Sequence, residues 1–95
     1  MENQHRKISG YRELSQTEID LMNKIKYLGP QLEDLTNEIK VHLAEQLRTA
    51  HETGGDAEVE RIAQAEPFRW LAIGRTDLQT GLMALTRAVA QPNNY

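Results

Sequence analysis

The chain has 95 residues, of which 39% are hydrophobic, 26% charged and 5% aromatic, and it contains no cysteine. That length allows one small domain with a modest core, the missing cysteines exclude disulfide stabilisation, and the composition is too apolar for a disordered chain. A formal net charge of −3 argues against general DNA or RNA binding, and no stretch approaches the roughly 20 apolar residues of a membrane span.

The N-terminus, MENQHRKISG, is polar and lacks the apolar centre of a signal peptide. The expectation is therefore a soluble intracellular protein without membrane contact. Residues 1–14 read as an N-terminal loop or short helix, and 15–95 as one helical domain. Ser15-Gln16-Thr17-Glu18 has the pattern of a capping box, a hydroxyl for the third helical amide and a carboxylate that reaches back. From there Leu21, Ile25, Leu28, Leu32, Leu35, Ile39 and His42 recur in alternating steps of four and three, which places them on one helical stripe. Pro30 lies inside this run. Proline removes a helical hydrogen bond and clashes with the preceding turn, but Gly29 softens the clash and the stripe keeps its phase, so the pattern predicts a kink with helix on both sides.

His51-Glu52-Thr53-Gly54-Gly55-Asp56 is the strongest breaker cluster: paired glycines end a helix, and Asp56 can cap the next. A second arm then runs from about Ala57 to Ala90, with Pro67 as a possible break and Pro92 as its stop. Two arms of similar length, about 15–52 and 57–90, joined by a short turn predict an all-α, antiparallel helical hairpin. Folding at residues 54–55 makes facing positions sum to about 109. The second arm has two apolar lines, Leu71–Val89 and Trp70, Ile73 and Ala84, and Gly74 and Gly81 share a face. One hairpin cannot bury all of this, so a homo-oligomer is expected.

Charge is unevenly spread. Residues 1–29 carry five basic and four acidic side chains, 30–66 three and nine, and 67–95 three and one. A hairpin brings the two basic ends together and leaves the acidic middle at the closed tip.

Arg75 stands where the stripe of Leu71, Leu78, Leu82, Leu85 and Val89 calls for an aliphatic residue. Two readings stand. Arg75 pairs across the hairpin with Asp34 or Glu38, as the guanidinium fork allows; or it faces a bound anion, with Gly74 permitting close approach and Thr76 adding a hydroxyl. Tyr11, preceded by Gly10 and followed by Arg12, is either a lid on the helix below or, with Lys26, the pairing that stacks on a base and meets phosphate. The histidines lack the paired spacing of zinc ligands. There is no cysteine nucleophile, nucleophile elbow, phosphate-cradling glycine loop or dinucleotide fingerprint. Neither an enzyme, a metal site nor a cofactor is expected.

Two stretches, KISGYRELSQTEIDLMNKIKYLG (7–29) and FRWLAIGRTDLQTGLMALTRAVAQP (68–92), resemble the small phage proteins that inhibit the CBASS antiviral system. The hairpin domain of that family is shared with some inhibitors of the Thoeris defence. The resemblance implies a sponge, which binds cyclic oligonucleotide messengers in the cytoplasm of the infected bacterial host without hydrolysing them. It implies hexamers with cyclic dinucleotide sites between protomers, and a separate cyclic trinucleotide site where three chains converge. On matching positions, Tyr11 is the base-stacking aromatic and Lys26 the phosphate-contacting lysine, with Gly10 and Arg12 beside them. Arg75 and Thr76 match the Arg-Thr pair assigned to the second site, joined on charge alone by Arg69. Residues 30–66 carry no part of the resemblance. The heptads are equally compatible with a helical oligomerisation or adaptor protein of a phage particle that has no small ligand.

Overall fold

A computed structural model describes residues 13–93. Every regular element among them is helical: α1 (Gln16–Thr49), a π-helical turn (Ala50–Gly54), α2 (Gly55–Ala65) and α3 (Pro67–Ala90). The all-α helical hairpin expected from the two arms is the fold. Residues 13–30 group with 79–93 in one compact unit, which joins the head of α1 to the tail of α3, and Gln31–Leu78 form another.

The first unit begins with local chemistry. The Ser15 amide donates to the Glu18 carboxylate at 2.7 Å, and the Glu18 amide donates to the Ser15 hydroxyl at 3.2 Å. This is a complete capping box: two amides that have no partner within the helix are satisfied reciprocally. Gln16 adds a bond to Asp20 one turn on.

The three prolines show how the preceding residue decides what a proline does. Proline disfavours the right-handed helical conformation in the residue before it. Glu66 precedes Pro67 and Gln91 precedes Pro92, and these are the two non-glycine residues with positive φ, 51° and 50°. Glu66 closes α2, its amide donating to the carbonyls of Ile62 and Ala63. Pro67 then occupies the first position of α3, where its missing N–H costs nothing and its fixed φ suits the helix. Pro30 follows Gly29, which has no Cβ to clash, and α1 carries it internally with helix on both sides. Pro30 has no N–H to offer the Lys26 carbonyl four residues back.

In the second unit the helical path ends at Gly55, with φ 81° and ψ 171°, a backbone region open in practice only to glycine. The last turn before it is π-helical, and α2 packs on that turn. Asp56 lies in the first turn of α2, which starts at Gly55 with no side-chain cap. Gly55→Ala is expected to destabilise the fold by about 1–3 kcal/mol, because no L-residue adopts this conformation without strain. Glu66→Gly exchanges left-handed strain for chain entropy and should shift stability by no more than about 1 kcal/mol. Thermal melts of the two variants at matched protein concentration check the contrast, and equal melting points would contradict it.

Packing within one chain is thin. Ala50, Ile62, Ala90 and Thr36 are the buried residues among those described, and no large side chain is fully buried. The Thr36 hydroxyl is satisfied by the Glu33 carbonyl at 2.8 Å. The heptad stripe is only partly covered: Leu35 is 50% and Leu85 53% exposed, and His42 at the end of the stripe is exposed in the single chain.

Candidate functional site

Lys26 stands on the exposed face of α1, in a stretch without acids: between Asp20 and Glu33 the only charged residues are Lys24 and Lys26. Neither lysine has an ion-pair partner among the described residues. Gly10, Tyr11 and Arg12 lie outside the described residues. The first candidate group is therefore represented by Lys26 and by the capping box, which fixes where the N-terminal segment joins α1.

The second group lies on α3. Arg75 is half-buried on the same stripe as Leu71 and Leu82, which are also half-buried. Of the two readings left open by its spacing, the cross-hairpin salt bridge is absent: neither Asp34 nor Glu38 pairs with it, and Arg75 has no ion-pair or hydrogen-bond partner among the described residues. Arg75 is thus a partly covered cation with no counter-charge beside it among the described residues. Thr76 follows at an exposed position. A Cβ added at Gly74 would meet nothing within 4 Å among the described residues, and the same holds at Gly81.

Arg69 is differently placed. It is exposed, lies 3.8 Å from Glu66, and stands over the Trp70 ring at 5.2 Å from its centroid. An anion at Arg69 would compete with a carboxylate and an indole face already in contact with it.

Two arginines of the acidic stretch are held by carboxylates of their own helical turns. Arg48 bridges Glu45 and Glu52, reaching the Glu52 carboxylate at 2.7 Å, and Arg61 pairs with Glu58. The hydrogen bond from Arg48 holds the Glu45 carboxyl below its ordinary value, and that from Arg61 does the same for Glu58. These groups remain acceptors rather than proton donors. A shallow groove of about 300 Å³ runs beside them, lined by His42, Gln46, Thr49 and Ala50 among others, without a cation of its own. Among the described residues no group of three His, Asp or Glu side chains could hold a metal ion, and no helix is long and apolar enough to cross a membrane.

Sequence reasoning passed over one residue of interest. Tyr27 projects from α1 next to Lys26 and is 75% exposed. The heptad directed attention to the inward stripe; an aromatic off that stripe, flanked by lysines, was the available signal.

The architecture has known counterparts. Residues 5–90 match the family model described as the hairpin domain of Acb2/Tad1. The match runs through residues 30–66 as well as the two stretches that carry the resemblance. The chain is also 47% identical over 105 aligned positions to a protein named Anti-CBASS protein 2 from Pseudomonas phage JBD67, with 97% of each chain covered.

Proposed function

Since the chain belongs to the Acb2/Tad1 hairpin-domain family, we propose that it is a phage antidefence protein that counters CBASS by binding and sequestering cyclic oligonucleotide messengers without hydrolysing them. The observation that carries this reading is the 47% identity, along 97% of both chains, to Anti-CBASS protein 2. It works in the cytoplasm of the infected host.

The physical requirements of a sponge agree with the residues present. A cyclic dinucleotide is a small dianion with two aromatic faces. Stacking contributes about 1–3 kcal/mol per base, and charge-assisted hydrogen bonds fix the phosphates. Tyr11 supplies the stacking ring and Lys26 the phosphate contact, with Gly10 and Arg12 in the same loop. Arg75 and Thr76, with Arg69 at the periphery, hold cyclic trinucleotides. The half-buried, unpaired Arg75 guanidinium supports a separate anion site on α3. The chain's net charge of −3 discriminates against genomic nucleic acid, whose attraction depends on many phosphates at once.

Self-association completes the proposal. Half-covered leucines on both long helices, and open space at Gly74 and Gly81 among the described residues, support burial against further copies. From the family resemblance we infer a hexamer, with dinucleotide sites between protomers and the trinucleotide site where three chains converge. A preassembled pocket avoids the ordering cost of binding and favours slow release.

Titration calorimetry with 3′,3′-linked cyclic dinucleotides is expected to give saturable binding at submicromolar concentration. Heating the complex should return the nucleotide with its mass unchanged. No heat with any cyclic di- or trinucleotide would sink the sponge; a linearised product would make the protein an enzyme. Native mass spectrometry of fresh preparations separates the sponge from a ligand-free phage adaptor, which would show a bare oligomer every time.

A further inference from the structure

Tyr27 is the most exposed of the large apolar side chains on α1, at 75%, and its phenol has no hydrogen-bond partner among the described residues. Single exposed aromatics are common on protein surfaces, so exposure alone says little. The charge around this ring says more. Lys24 lies three residues before it, on the same helical face, and Lys26 immediately before it. Both lysines are exposed and without a carboxylate partner among the described residues, and the nearest acids in sequence are Asp20 and Glu33. Asp20 already accepts a bond from Gln16. One turn of helix therefore presents a flat π-face between two uncompensated cations. An apolar partner would leave both lysines unmatched and an acidic peptide would leave the ring unmatched. A nucleotide satisfies both, its base or sugar on the ring and its phosphate on the lysines.

We propose that Tyr27 and Lys24 are further ligand-contacting residues of the cyclic dinucleotide site anchored by Lys26, Tyr27 as a stacking surface and Lys24 as a second phosphate cation. This rests on the dinucleotide reading of Lys26. A stacking surface accepts any base, so Tyr27 adds affinity without selecting among messengers.

The test is calorimetric titration of the native oligomer with 3′,3′-cyclic GMP–AMP, alongside native mass spectrometry for oligomer size. Tyr27→Ala is expected to weaken binding about tenfold, the loss of one stacked base, while Tyr27→Phe stays within about twofold because the π-face is kept. Lys24→Gln should weaken binding and flatten its salt dependence. Subunit number should be unchanged in all three. Parent-like binding by Tyr27→Ala, or a smaller oligomer, which would make the ring part of a contact between copies, overturns this proposal and leaves the Lys26 site standing. A parent protein that does not bind the probe overturns both.

Discussion

Replacing Lys26 by alanine is expected to weaken cyclic dinucleotide binding by about ten- to a hundredfold, the worth of one hydrogen bond to a charged group. Lys26 is exposed, has no ion-pair partner among the described residues, and lies far in sequence from any acid that could claim it. Its removal therefore leaves no orphaned carboxylate, and the helix loses nothing, because alanine is the better helix former. Stability should hold while affinity falls. Tyr11→Ala should produce a comparable loss, about five- to a hundredfold for one stacked base. Circular dichroism and native mass spectrometry, run beside the titrations, confirm that fold and subunit number persist. Parent-like affinity in both variants would place the dinucleotide elsewhere. A lower affinity together with dissociated protomers would assign these residues to assembly.

What was legible in the chain follows from how local the physics is. The capping box at Ser15 and Glu18 is a four-residue reciprocal pattern, and the structure forms both of its hydrogen bonds. The break at the paired glycines was legible because the backbone region of Gly55, φ 81° with ψ 171°, is open in practice only to glycine. The contrast between Pro30, carried within a helix, and Pro67, which opens one, is a matter of the preceding residue, glycine in one case and glutamate in the other. The π-helical turn at Ala50–Gly54 was not legible. One residue of extra slack in a last turn is set by how α2 packs back on it, and no local preference specifies that.

The site was legible in part, for a related reason. Spacing put Arg75 in the apolar stripe and Asp34 and Glu38 across from it, yet ion pairing is decided over a few ångströms between separate helices. The structure leaves Arg75 half-buried and without an ion-pair partner among the described residues. Arg69 looked like a spare cation by charge alone, whereas Glu66 and Trp70 both engage it. Periodicity, which looks inward, gave no weight to Tyr27. The resemblance to anti-CBASS proteins was carried by motifs at the two ends; the family match extends across residues 5–90, including the acidic stretch where composition suggested only a solvated tip.

Arg75→Ala is expected to reduce cyclic trinucleotide binding by about ten- to a hundredfold, and further where several copies of Arg75 converge on one ligand, while cyclic dinucleotide binding stays within about twofold. The selectivity follows from placement. Lys26 belongs to the unit of residues 13–30 and 79–93 and Arg75 to the unit of Gln31–Leu78, and no described residue is an ion-pair partner of both. Separated sites without common partners act independently. Truncating Arg75 also removes a charge that no carboxylate among the described residues compensates, so the fold should be about as stable as the parent, opposite to what breaking a buried ion pair would do. Gly74→Ala sharpens the test. A Cβ at Gly74 meets nothing within 4 Å among the described residues, and alanine raises helix propensity by about 1 kcal/mol, so the isolated chain should tolerate it. If an anion approaches the backbone beside Arg75, Gly74→Ala should impair trinucleotide binding and leave dinucleotide binding intact. Equal losses of both ligands in Arg75→Ala would tie Arg75 to assembly, and unchanged binding of both would return the trinucleotide site to another part of the surface.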